Sequence, residues 1–244
     1  MRIIGRLDIK NHNIIQSINL EGLRVIGDPN IIGKKYYKEG IDELIFMDIV
    51  ASLYGRNNIF KIIKMITKNI FIPVAVGGGI RSIFDIEKAL NSGADKVVIN
   101  SAAIKNPRLI AEAEKKYGSS TIVISIDTRK NNNTGKWEIF TNTGREKANI
   151  SLETWINKIQ DLGCGEILIT SIDHAGTRKG FDYDLLKFLK KFKLKIPLIY
   201  CGGCSGVQDI KKVKSYLKED DAITISSIIH YNLEKIENLK KIVK

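Results

Sequence analysis

Two aspartates close apolar runs at matching places in the two halves of the chain, Asp8 after Leu7 and Asp127 after Ile126. A carboxylate on each side of a bound substrate is what a reaction needs for one general base and one general acid. The competing reading makes each a helix cap, or the partner of a nearby lysine, Lys10 or Lys130. Two glycine clusters are matched in the same way. Gly77-Gly78-Gly79 is followed by Asn100-Ser101, and Gly202-Gly203 by Ser226-Ser227. Glycine lets backbone N–H groups approach an oxyanion, and the hydroxyls and helix starts that follow add donors. Glycine also favours tight turns that hold nothing. Two clusters at equivalent places favour a ligand with a phosphate at each end. Asp48 and Asp173 form a further matched pair, which either bonds to these groups or caps helices. Thr170, Ser171 and Gly176 belong to the same set of strand ends and following loops. His12, His174 and His230 have no triad or metal-ligand spacing and read as surface or packing residues, with His174 the one placed to touch a ligand.

Such residues need elements that gather them at one face. Short β-branched runs recur along the chain: Ile3–Ile9, Leu44–Val50, Ile72–Val76, Lys96–Ile99, Thr121–Ile126, Glu166–Thr170, Ile196–Tyr200 and Ala222–Ile225. They are continuous rather than alternating, as buried parallel strands are. Between most of them lie stretches with helical spacing, such as Ile59-Ile62-Ile63-Ile66 and Ile210-Val213-Leu217. Eight strand–helix units in this length predict a (β/α)8 TIM barrel. An open doubly wound sheet would call for G-x-G-x-x-G after the first strand, and none is there. The halves repeat: IFMDIVAS (Ile45–Ser52) parallels LITSIDHAG (Leu168–Gly176), PVAVGGGI parallels PLIYCGGCS, and DKVVINSAA parallels DAITISSII. We therefore expect a single barrel domain over residues 1–244, made of two (βα)4 half-barrels. The polar stretch Lys130–Ala148 is expected to form a hairpin beside the mouth.

With 43% hydrophobic residues the chain can bury a large core, which excludes a disordered or collagen-like class. Three cysteines make no disulfide framework, and no second ligand pair accompanies Cys201 and Cys204, so no metal is expected. No apolar run approaches membrane-spanning length, and MRIIGRLDIK is too short and charged for a signal peptide, so the expected location is the cytoplasm, away from membranes. The net charge of +12 is mostly lysine spread over helix-like segments. That distribution speaks for solvated faces and an anionic small molecule rather than nucleic acid.

Taken together, R-I-I-x-x-L-D-I-K, GDP (Gly27–Pro29), DELIFMDI, PVAVGGGI, GADKVVINSAA, SIDT and GEILITSID-x-x-GT resemble the HisF family, the cyclase subunits of imidazole glycerol phosphate synthase. The resemblance runs from about Arg2 to His230. It implies a (β/α)8 barrel that takes up ammonia and converts a bis-phosphorylated ribulosyl aminoimidazole-carboxamide to imidazole glycerol phosphate and aminoimidazole carboxamide ribotide. Asp8 and Asp127 match the catalytic pair. Gly78, Gly79, Asn100 and Ser101 match one phosphate site, and Gly202, Gly203, Ser226 and Ser227 the other. Gln16, Asp48, Thr170, Ser171 and Gly176 fall on the substrate side. No cofactor is implied. The resemblance also implies a heterodimer with a HisH-like glutaminase, whose ammonia enters through a charged gate matching Arg2, Glu43, Lys96 and Glu166, with Asp95 at the interface. Charges at strand starts are otherwise solvated rim residues; four of alternating sign are compatible with a neutralised ring.

The chain departs from the family at four places. Gln16 stands where Lys is general, Ala175 for Asp, Arg6 for Cys and Cys201 for Ser. Losing a charge-assisted hydrogen bond removes roughly 1.5–3 kcal/mol, or ~10–100-fold. The segment LEGLRVIGDP resembles a branch of the family associated with amidation of surface-polysaccharide sugars, in which the barrel conducts ammonia for another enzyme. A sister phosphosugar isomerase family shares the half-barrel pattern and an aspartate pair but lacks the four charges.

Overall fold

The first strand shows how sequence becomes barrel. In β1 (Arg2–Lys10), Ile3, Leu7 and Ile9 pack outward into the main hydrophobic cluster, while Ile4 joins a separate cluster inside the barrel. Arg6 and Asp8, two and four residues on from Ile4, follow it inward by the two-residue period of a strand. The computed structural model describes residues 1–51 and 59–243. Ser52, which ends one repeated segment, lies outside them.

After β1 come β2 (Asn13–Ile18), β3 (Glu21–Gly27), α1 (Pro29–Lys38), β4 (Glu43–Asp48), α2 (Ile59–Ile66), β5 (Val74–Gly77), α3 (Ile83–Asn91), β6 (Lys96–Ile99), α4 (Ser101–Lys105) and α5 (Arg108–Tyr117). The second half contains β7 (Ile122–Lys130), β8 (Trp137–Thr141), β9 (Glu146–Ser151), α6 (Leu152–Asp161), β10 (Glu166–Ser171), α7 (Tyr183–Leu189), β11 (Leu198–Cys201), α8 (Val207–Lys214), β12 (Ala222–Ile225), α9 (Ser227–His230) and α10 (Ile236–Val243). The parallel strands run β1-β4-β5-β6-β7-β10-β11-β12 and close back onto β1, a (β/α)8 TIM barrel.

Local chemistry sets the element ends. Strands β5 and β11 begin after Pro73 and Pro197, two residues later than the apolar runs suggest. Proline has no N–H for the ladder, and each proline carbonyl instead accepts from the neighbouring strand, at Leu44 N and Ile167 N. Strand β4 stops at Asp48, short of Val50, because the Asp48 carboxylate takes the N–H groups of Val50 and Ala51 and turns the chain. Helix α8 ends at Lys214, leaving Leu217 outside it. In the GDP triplet Gly27 closes β3, Asp28 caps α1 through Asn30 N and Ile31 N, and Pro29 opens the helix.

Both β1 and β7 overrun the barrel into antiparallel hairpins. Asp8 pairs with Ile15 across β1–β2, and Asp127 with Phe140 across β7–β8. The second hairpin is the expected one; the first is an addition to the sequence reading. No helix among the described residues is long and apolar enough to cross a membrane.

Candidate active site

Asp8 and Asp127 sit on strands four places apart in the eight-strand ring, each where its strand leaves the barrel for a hairpin. Asp127 is only 6% exposed, and its Oδ2 accepts from Asn100 Nδ2 at 2.9 Å. Burial pushes its carboxyl up to about 6, and Asp8 adds to the rise; Arg6, Thr170 and Asn100 pull the other way. A carboxyl poised there can give or take a proton close to neutral pH. Asp8 is held differently, by an ion pair from Arg6 Nε to Oδ1 at 2.8 Å.

Two hollows open at this face. The larger, about 280 Å³, is bordered by Gly78, Gly79, Asn100, Ser101, Asp48 and Asp127. The smaller, about 30 Å³, is bordered by Gly202, Gly203, Ser226, Ser227, Asp8 and Gln16, with Thr170 and Gly176 beside them. Each expected cluster is thus gathered around its own hollow, with Asp127 at the first and Asp8 at the second. Gly78 has φ +93°, and a Cβ there would lie 2.1 Å from the Asp48 carbonyl oxygen. The equivalent Cβ on Gly202 would lie 2.8 Å from the Ser171 carbonyl.

These contacts correct the pairing of Asp48 with Asp173. The backbone equivalent of Asp48 is Ser171, while Asp173 lies two residues past the end of β10 in an ion pair with Arg129 at 3.0 Å. Ser171 is also moved from the substrate side: fully buried, it borders neither hollow and donates to Asp182 Oδ2 at 2.8 Å. Asp182 in turn caps α7 through Leu185 N. Asp48 borders the larger hollow while capping its own turn, and burial raises its carboxyl against the pull of two N–H groups. His174 bonds to the Gly180 carbonyl at 2.8 Å, and His230 is buried against the Tyr36 hydroxyl at 2.6 Å. His12 is exposed at the first hairpin turn.

Gln16 is 7% exposed and donates from Nε2 to the Ser17 carbonyl, leaving Oε1 buried without a partner among the described residues. Arg6, Leu20, Arg81 and Lys105 also border the hollows, and Arg6 and Leu20 border both. The sequence reading passed over their part in the site. Arg6 was readable two residues before Asp8 on the same strand face, and Arg81 directly after the triple-glycine segment.

At the opposite end of the barrel four side chains close a ring. Arg2 reaches Glu43 at 2.9 Å and Glu166 at 2.6 Å; Lys96 reaches Glu43 at 3.0 Å and Glu166 at 2.9 Å. Burial pushes the Glu43 carboxyl up, with Glu166 adding, while Lys96 and Arg2 draw it down. Asp95 stays outside the ring and accepts from Val74 N at 2.8 Å, tying β5 to the start of β6. Between ring and mouth lies an apolar layer that includes Ile4, Ile45, Val98, Val123, Leu168 and Ile199.

Residues 2–234 match the profile of the family described as Histidine biosynthesis protein. Over 209 residues the chain is 49% identical to the imidazole glycerol phosphate synthase subunit HisF of Legionella pneumophila, covering 86% of this chain and 98% of that protein. The HisF subunit of Wolinella succinogenes is 41% identical over 243 residues, 100% of this chain and 94% of its own length. That of Lactococcus lactis subsp. cremoris SK11 is 42% identical over 240 residues, 98% and 92% of the two chains. The chain belongs to the HisF family. The span matched by the family profile, residues 2–234, contains both aspartates, both glycine clusters and all four ring charges. As a HisF-family chain it is an enzyme, of the lyase type.

Proposed function

We propose that this chain is the cyclase subunit of an imidazole glycerol phosphate synthase in histidine biosynthesis. The observation that carries the reading is the opposed pair Asp8 and Asp127, each bordering its own glycine-lined hollow. A bis-phosphorylated ribulosyl aminoimidazole-carboxamide laid across the mouth would place one phosphate at Gly78, Gly79 and Ser101 and the other at Gly202, Gly203, Ser226 and Ser227. Its reacting centre would then lie between the carboxylates. One takes a proton and the other returns it as ammonia is incorporated, water is lost and the substrate is split into imidazole glycerol phosphate and aminoimidazole carboxamide ribotide. The ammonia would come from a HisH-like glutaminase docked around Arg2, Glu43, Asp95, Lys96 and Glu166, in the cytoplasm, with no cofactor in the reaction.

The test supplies the bis-phosphate and an ammonium salt at about pH 8.5, so that free ammonia replaces the glutaminase. Turnover near one per second is expected, within the slow part of the ordinary range. Asp8→Asn and Asp127→Asn should each lower it by about 10²–10⁴-fold while leaving the far-ultraviolet circular dichroism unchanged. Near-native turnover in either variant would remove the mechanism.

Gln16 favours a second reading, in which the barrel conducts ammonia for amidation of a surface-polysaccharide sugar. Its buried Oε1, without a partner among the described residues, offers an acceptor where a phosphate has no proton to donate, and the hollow beside it is the smaller of the two. Tight binding of the bis-phosphate without turnover, or no binding, would select this reading.

A further inference from the structure

Arg6 breaks the twofold pattern of the site. Aligning the repeated Leu7-Asp8 and Ile126-Asp127 sets Arg6 opposite Ser125, so only one half carries a cation two residues before its aspartate. Arg6 is 7% exposed and borders both hollows. Its Nε donates to Asp8 Oδ1 at 2.8 Å, and its Nη1 to Thr170 Oγ1 at 3.1 Å and Cys201 Sγ at 3.3 Å. With its oxygen taken by Arg6, the Thr170 hydroxyl directs its proton to Asp127, which also accepts from Asn100. Asp8 is therefore in direct contact with the guanidinium, whereas Asp127, whose donors among the described residues are neutral, feels the Arg6 charge from a distance.

We propose that Arg6 is a positioning residue that treats the two carboxylates differently, gripping Asp8 by direct contact and, through its charge, letting Asp127 release as well as carry the proton. This rests on the acid–base reading given above. A guanidinium keeps its charge throughout the working pH range, so the bias is permanent. Other groups near the pair do not replace it. His230 is pushed down to about 4 by burial, with Lys35 acting the same way against Asp8, and is neutral at working pH. Gln16, Thr170, Asn100 and Cys201 bring no cation. Arg81, Lys105 and Asp48 border the larger hollow on the Asp127 side, and their charges are the same in every variant compared.

The experiment titrates the protein without substrate, by carbon NMR of aspartate labelled at the carboxyl carbon, with Asp127→Asn identifying the resonance. The wild-type Asp127 carboxyl should titrate near pH 6. Arg6→Gln keeps amide donors but removes the charge, and should move the midpoint up by about one unit or more. Arg6→Lys keeps the charge and should stay with the wild type. The basic limb of the ammonia-supplied rate profile should shift in parallel in Arg6→Gln. An unmoved midpoint in Arg6→Gln overturns the proposal. So does an equal shift in Arg6→Lys, which would make packing rather than charge the cause. Because the titration needs no substrate, the expected shifts in a protein that never turns over the bis-phosphate would retire the cyclase reaction and leave the role of Arg6 standing.

Discussion

Ionised Asp127 weighs against the fold. Its folded value of about 6 lies above the ordinary 3.8, so the folded chain binds this proton more tightly than the unfolded one. The stability this gives is complete below the unfolded value and is lost as pH rises through about 6. Asp127→Asn should therefore be more stable than wild type at pH 7.5 by on the order of 2–3 kcal/mol, with the gain vanishing near pH 4. Urea unfolding at the two pH values checks this; an equal gain at both would point to hydrogen bonding rather than charge. The aspartates were legible because repetition separates a functional residue from a chance one. Arg6 registered only as a departure from the family, since its inward direction depends on the strands that close around β1. Ser171 was misplaced because a strand-end hydroxyl looks the same in sequence whether it faces a ligand or, as here, Asp182.

At the scale of elements, the turns after β5 and β11 are fitted to the ends of β4 and β10. Gly78→Ala must push the β5 turn away from the Asp48 carbonyl as well as strain a positive φ. A destabilisation of about 2–4 kcal/mol is expected. Gly135→Ala, with φ +69° and nothing within 4 Å of the added carbon, should lose only about 1–2 kcal/mol. Thermal unfolding of the pair tests the difference, and equal losses would mean the close approach is relieved at no cost. The hairpins differ in how openly the sequence announces them. KWEIFTNTG alternates apolar and polar residues around a turn, with Trp137 and Ile139 buried. The first hairpin hides its pattern: β3 is almost wholly exposed, whereas β2 is buried through four consecutive residues. Leu20 at its turn packs on Ile172 and Ala175 and borders both hollows, a placement only the folded molecule reveals.

The whole barrel was readable because eight buried strands leave eight continuous apolar runs, and two half-barrels leave the same motifs twice. Closure is not written in any one segment; it appears when β12 meets β1, with Arg2 opposite Ala222. The four-charge ring depends on that closure, and removing one member exposes how it is balanced. Lys96→Met leaves buried Glu43 facing Glu166 with Arg2 alone between them. The Glu43 carboxyl, already raised, rises further, so the variant should lose about 3 kcal/mol at pH 7.5. The deficit should shrink towards pH 4.5, because a raised carboxyl contributes stability at low pH and loses it as pH rises. Denaturant titrations at both pH values measure it, and a pH-independent deficit would assign the loss to packing.

The ring also has no loose end. Every member is paired on two sides, so swinging Lys96 aside takes one of two partners from both glutamates at once, and moving either glutamate takes one from both cations. Moving any one member thus breaks two ion pairs together. Opening the ring therefore costs least where something docking on it offers replacement charges in the same motion. Any small molecule crossing the floor would then be admitted in step with the docking of whatever brings those charges.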